Sequence, residues 1–367
     1  MKAWAGSVLL LALFLGACQP GGDASEAVDA AVEVPRLSVD PDWPAPLPQG
    51  WVAGVVTGIA VDDNDHIWVL SPPNPLTPDE IEQADGESLT RIPTVVVFDR
   101  QGSVVQAWDD PTGELEWPET PHGIFPDEQG YVWIGYRDDH RLVKFTRSGE
   151  HVLTIGERDS TGGDEDPERL GAPADVWVDP ETNEAYVADG YLNRRVVVYD
   201  ASTGEYLRHW GAFGRTSSSG DDGMEETDEG RREFSTVHGI VGSHDGLLYV
   251  ADRGNNRVQV FDPDGQFVDE VEIAPGTEGS GSAFDVALSA DQGQTHLYVA
   301  DGTNQTVWIV RRGDLEVVGQ WGTSGEEPGE FLRIHNIDTD SEGNVYTAEV
   351  EGERVQRFVH QGGDGNR

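Results

Sequence analysis

The chain has 367 residues, enough for one large all-β domain or two smaller domains. Its formal net charge is −44, and its lysines are Lys2 and Lys144 alone, every other basic side chain being arginine or histidine. So acidic a surface argues against nucleic acid and anionic membrane surfaces as partners, and it suits a salty habitat.

The N-terminus reads Met1-Lys2, then an apolar run from Val8 to Leu15, then Gly16-Ala17-Cys18. That run is too short to span a bilayer and ends in small residues, so residues 1–17 are expected to be a cleaved export signal. Leu15-Gly16-Ala17-Cys18 resembles a bacterial lipobox, which implies that Cys18, the single cysteine, becomes the lipidated first residue of the mature protein. Gln19 follows it, and by Gram-negative sorting rules implies the outer membrane. The expected location is therefore the cell envelope, with the membrane touched only through the lipid. Residues 18–48, rich in Gly, Ala, Glu, Asp and Pro, are expected to form a flexible acidic tether.

Beyond the tether a short apolar strand recurs at Gly58-Ile59-Ala60-Val61, Gly123-Ile124-Phe125-Pro126, Asp175-Val176-Trp177-Val178, Gly239-Ile240-Val241-Gly242, Asp285-Val286-Ala287-Leu288 and Asn336-Ile337-Asp338-Thr339. Each is followed by a second strand, such as Tyr131-Val132-Trp133-Ile134, and usually by a polar turn between them. A third, such as Val196-Val197-Val198-Tyr199, comes next, and a fourth often ends in Trp. Four β-branched and aromatic strands per unit, repeated in tandem, predict an all-β six-bladed β-propeller over residues 49–362, with a disordered tail at 363–367. The last unit stops after its third strand near Phe358, and Gly50–Gly54 is expected to supply the missing fourth. Val187-Ala188-Asp189-Gly190, Val250-Ala251-Asp252-Arg253 and Val299-Ala300-Asp301-Gly302 follow the NHL-repeat pattern, with the aspartates expected to cap turns.

The residues just before the six first strands are Thr57, His122, Ala174, His238, Phe284 and His335. Histidine occupies every second blade. First strands line the channel, so these three imidazoles are expected to converge at the axis. Three neutral imidazoles with an open fourth position are the ligand set of a catalytic zinc, the alternative being a polar plug. His66, His140, His151, His209, His296 and His360 lack this placement and read as surface or turn residues. Loops between second and third strands share that face; they carry Tyr191 and Arg253, Tyr136 and Arg137, and the long segment from Ser71 to Pro93, long enough for a lid. A metal, a phenol and a guanidinium at one mouth make an active site, or Tyr191 and Arg253 merely rim a pore.

These motifs resemble the peptidyl-α-hydroxyglycine α-amidating lyases, six-bladed NHL-type propellers that release glyoxylate from a peptide ending in α-hydroxyglycine. Pro121-His122-Gly123-Ile124, Val237-His238-Gly239-Ile240 and Ile334-His335-Asn336-Ile337 match that family's three metal-ligand motifs. Asp189-Gly190-Tyr191-Leu192-Asn193 matches the segment of its catalytic tyrosine, and Val250-Ala251-Asp252-Arg253 that of a pocket arginine. The resemblance implies zinc on His122, His238 and His335, Tyr191 as the proton acceptor and Arg253 at the substrate carboxylate. It also implies a structural calcium on the carbonyls of Ile59 and Ile124 and the side chain of Asn336, where the family has aspartate. The chain departs elsewhere. An arginine that the family places after the second strand of the first blade is replaced by Leu70-Ser71-Pro72-Pro73, leaving Arg91 or Arg137 as substitutes. The family's disulfides are missing, and the acidic loop from Gly214 to Glu229 is peculiar to this chain. Three readings follow: a zinc-dependent carbon–nitrogen lyase acting on a small or peptidyl α-hydroxyglycine, a non-catalytic, envelope-anchored propeller that binds a protein, peptide or glycan around a structural metal, or a metal-stabilised sensor or scaffold tethered to the envelope.

Overall fold

Ile67-Trp68-Val69-Leu70 and Val95-Val96-Val97-Phe98 are apolar at every position and buried throughout. A strand carries such a run only when both of its faces are covered. The computed structural model, which describes residues 33–83, 88–109, 117–216 and 232–362, shows what covers them. The described residues form six antiparallel four-stranded sheets. The first strands are Gly58–Val61, Pro121–Pro126, Asp175–Val178, Val237–Gly242, Asp285–Leu288 and Ile334–Thr339. They contact one another in cyclic order, the last against the first, so the sheets are blades 1 to 6 of a closed propeller.

The core is a ring of packed interfaces between blades. Strand pleat sends alternate side chains to opposite faces. Trp68 and Leu70 of blade 1 accordingly pack with Ile124 and Val132 of blade 2. Their neighbours Ile67 and Val69 pack with Tyr346 and Ala348 of blade 6. Each of the other four interfaces holds a cluster of the same kind.

Closure differs from the sequence expectation. The fourth strand of blade 6 is Leu37–Val39, paired antiparallel with Arg354–His360, and not Gly50–Gly54. Trp51–Val52 instead pairs in parallel with Thr90–Arg91. The segment read as tether therefore enters the fold. Trp43 is buried between blades 6 and 1, with its ring 5.0 Å from that of Tyr346 and 6.0 Å from that of Phe98. Asp40 pairs with Arg357. The signal segment, Cys18, most of the acidic loop after Gly214 and the tail at 363–367 lie outside the described residues.

The repeat aspartates are structural. Asp189 accepts from the Gly171 amide at 2.6 Å and from Arg195 Nε at 2.9 Å. Asp252 accepts from the Ser235 amide and from Arg257 Nε, both at 2.7 Å. Asp301 caps its own turn through the Asn304 amide. In blades 3 and 4 the aspartate thus ties the incoming loop to a buried arginine rather than only capping a turn.

Candidate metal centre and active site

His122 and His238 sit on the inner strands of blades 2 and 4, each followed by glycine. A Cβ at Gly123 would lie 2.4 Å from the Ala174 carbonyl oxygen, and one at Gly239 would lie 2.4 Å from Asp285 Oδ1. Without a side chain there, the next blade's strand comes close enough to hold the imidazole. His122 Nδ1 donates to the Ala174 carbonyl at 2.7 Å, and His238 Nδ1 donates to the Phe284 carbonyl at 2.6 Å. Blade 6 has Asn336 in place of that glycine, and His335 Nδ1 donates to Asn336 Oδ1 at 2.6 Å. Asn336 Nδ2 in turn donates to Asp285 Oδ2 at 3.1 Å. With each Nδ1 carrying the proton, all three Nε2 atoms keep a lone pair that can accept a hydrogen bond or bind a metal.

The three rings form a nearly equilateral triangle, with centroids 4.7, 4.8 and 4.9 Å apart. Their ligand atoms lie within 4.8 Å of one another. Burial pushes all three imidazoles below their ordinary range, His122 and His238 strongly and His335 to about 4. The guanidinium of Arg253 acts in the same direction on all three, and neighbouring imidazoles do so on His122 and His238. The cluster is therefore neutral at physiological pH, as metal ligands must be.

Tyr191, on the loop after the second strand of blade 3, closes the triangle. Its hydroxyl oxygen is 2.9 Å from His238 Nε2 and 3.0 Å from His122 Nε2. One hydroxyl proton cannot satisfy two lone pairs at once. The buried site is thus short of an electrophile, which a divalent cation held by the three histidines would supply. The histidine set fits zinc on these grounds, and imidazole also suits iron, copper or nickel. The calcium set fits less well. Ile59 and Ile124 lie on the adjacent inner strands of blades 1 and 2, but the Asn336 oxygen is already committed to His335.

Arg253, from blade 4, points Nη1 at the Tyr191 hydroxyl at 3.3 Å. Its Nε is buried without a hydrogen-bond partner, and among the described residues it pairs with no carboxylate. A pocket of about 480 Å³ opens over the histidines, lined by residues that include Thr57, Asn74, Glu119, Arg137, Phe284 and Arg333. Of the two arginines left open by the sequence, Arg137 reaches the pocket. Arg91 is held away from it, bound to both Glu80 oxygens at 2.8 and 2.9 Å. The start of the long first-blade loop, Pro72 and Asn74, forms one wall.

Sequence reasoning missed Arg333 and the ring of Phe284. Arg333 stands two residues before the third histidine, where the other two histidine blades carry Thr120 and Thr236. Comparing those matched positions would have singled it out. Arg333 and Thr236 share a left-handed backbone, at φ 57° and 64°. His296, read as a surface residue, is buried in the second strand of blade 5.

Six blades around a three-histidine mouth define a β-propeller whose clustered imidazoles could hold a metal ion at one end of its channel. Residues 234–261 match the NHL repeat family. The chain is 27% identical over 287 residues to NHL repeat-containing protein 3 of Homo sapiens, covering 75% of each chain. It is 24% identical over 280 residues to peptidyl-alpha-hydroxyglycine alpha-amidating lyase 1 of Drosophila melanogaster, covering 71% of this chain and 49% of that lyase. This chain is therefore a six-bladed propeller with one stretch matching the NHL repeat, and it is similar to the amidating lyases at modest identity. Among solved structures, a streptogramin B lyase superposes with a TM-score of 0.54 at 12% identity, covering 89% of this chain and 98% of that one, a likeness of fold alone.

Proposed function

We propose that the chain is a metal-dependent lyase that cleaves the carbon–nitrogen bond of an N-acyl-α-hydroxyglycine, giving glyoxylate and the free amide. One observation carries this reading: the Tyr191 hydroxyl lies against two histidine Nε2 atoms on one side and a guanidinium with no carboxylate partner on the other. When bound to His122, His238 and His335, a zinc ion lowers the pKa of a hydroxyl placed beside it.

The chain's own residues then have distinct tasks. Tyr191, as phenolate, accepts the proton of the substrate hydroxyl. Arg253 stabilises the negative charge on the Tyr191 oxygen and holds the substrate carboxylate. As the C–O bond becomes a carbonyl, the C–N bond breaks, and the departing amide nitrogen takes up the proton held by Tyr191. Phe284 packs against His238 and His335, with ring centroids 5.6 and 6.1 Å away, and excludes water from their far side.

Glyoxylate release from an N-acyl-α-hydroxyglycine peptide tests the reading. Metal-dependent release above the spontaneous rate supports it, and none by metal-replete protein sinks it. A second reading, a propeller that binds without catalysis, has the similarity to NHL repeat-containing protein 3 and the absent first-blade arginine in its favour.

A further inference from the structure

Around the pocket mouth, arginines and aromatic rings alternate from blade 2 to blade 6. Arg137 lies over the Tyr191 ring at 4.9 Å, and Arg253 lies against the same ring at 5.2 Å. Arg253 also lies over the Phe284 ring at 4.8 Å, and Arg333 is 5.8 Å from that ring. Five consecutive blades thus give one residue each to a crescent of three guanidiniums separated by two rings. Blade 1 breaks it with the neutral side chains of Val55, Thr57, Pro72 and Asn74.

The crescent is short of negative charge. Among the described residues, Glu119 is the only carboxylate lining the pocket beside the three arginines. Arg137 is bound to Asp138 at 2.9 Å, and Arg333 is 3.5 Å from Glu351. Both pairs sit at the exposed rim, where an ion pair is weak and easily exchanged. Arg253 has no such partner among the described residues. Stacking on aromatic faces holds guanidiniums in place before a ligand arrives, which reduces the ordering needed on binding. A substrate with a single carboxylate leaves this mouth with excess positive charge, and one with two carboxylates matches it.

We propose that Arg333, acting with Arg253 across the Phe284 ring, is a specificity-determining residue that selects a substrate with two carboxylates, one on the reacting carbon and a second in the acyl group carried by the nitrogen. The position of the first carboxylate rests on the lyase reading, in which Arg253 holds it. Arg333 thereby supplies, from blade 6, a cationic contact in a pocket whose first-blade wall has none.

The test uses ligands that cannot react. N-succinylglycine and N-butyrylglycine lack the α-hydroxyl and differ chiefly in the second carboxylate. Calorimetric titration of the purified protein is expected to show the succinyl compound binding about tenfold more tightly or better. Arg333→Gln is expected to reduce that preference to about threefold or less, and Arg333→Lys to leave it between the two. An unshifted thermal unfolding curve shows that each variant is folded. Equal affinities in the wild type, no binding of either compound, or a preference that survives Arg333→Gln overturns the inference. Cleavage of the two α-hydroxy counterparts is scored separately. Binding preference without cleavage leaves the inference standing and sinks the lyase reading, and cleavage without preference does the reverse.

Discussion

The hydroxyl of Tyr191 lies 2.9 Å from Nε2 of His238, although the two residues come from different blades and are 47 positions apart. That contact puts the one phenol of the pocket mouth in reach of any group held by the histidines. Replacing Tyr191 with Phe keeps the ring and its stacking on Arg137 and Arg253 while deleting the proposed proton acceptor. Turnover of an α-hydroxyglycine peptide is expected to fall by about 10²- to 10⁴-fold. Bound metal is expected to stay, since the variant keeps all three histidines. Unchanged turnover in Tyr191→Phe would remove this residue from the chemistry.

The depressed imidazoles set the acid limit of metal retention. A histidine whose folded-state pKa lies below its unfolded value of 6.5 remains neutral as pH falls through 6.5, and charges only near its folded-state pKa. For His335 that point is about 4. Metal content measured across a pH series is therefore expected to hold through pH 6 and to fall between about 5 and 4. The metal-free fold loses stability over a wider range, as pH falls from about 6.5 towards about 4, because its unfolded chain takes up protons that the folded chain refuses. A midpoint of metal loss at 6.5 or above would show that burial does not protect these ligands.

The buried aspartates of the repeat govern folding. Asp252 and Arg257 are both fully buried and share a 2.7 Å bond. Asp252→Ala removes the fully buried carboxylate partner of Arg257 and leaves it the partly exposed Glu270 at 3.1 Å, and is expected to lower stability by about 3 kcal/mol in urea unfolding. A loss under about 1 kcal/mol would place this pair among weak surface ion pairs.

Closure by Leu37–Val39 predicts how the domain tolerates trimming. A chain beginning at residue 49 exposes the edge of Arg354–His360 and loses Trp43 from between blades 6 and 1. Its melting temperature is expected to be about 10 °C lower than that of a chain beginning at residue 33, with aggregation from the open edge. Equal melting temperatures would make the closing strand dispensable.

Much of this molecule was legible in its sequence, for identifiable reasons. Blade strands are covered on both faces, so runs such as Ile67–Leu70 are uninterruptedly apolar and recur in blades 1 to 5. The histidines were legible because His122, His238 and His335 hold one position in alternate repeats. Leu37–Val39 was not, because a three-residue strand in a polar segment owes its pairing to His360, Val359 and Phe358 at the other end of the chain. Gly50–Gly54 holds strand residues, but they pair with Thr90–Arg91, a partner that no local pattern reveals. The cationic crescent was hidden for the same reason: Arg253, Phe284 and Arg333 meet only when three blades close side by side.

The account rests on the histidine centre, and elemental analysis of the purified protein beside a His122→Ala, His238→Ala double variant tests it most directly. The account predicts about one zinc, or another divalent transition metal, per wild-type chain. That metal should be lost in the double variant while its circular dichroism spectrum is retained. Wild-type protein that carries no transition metal after growth and dialysis in metal-replete medium would contradict it.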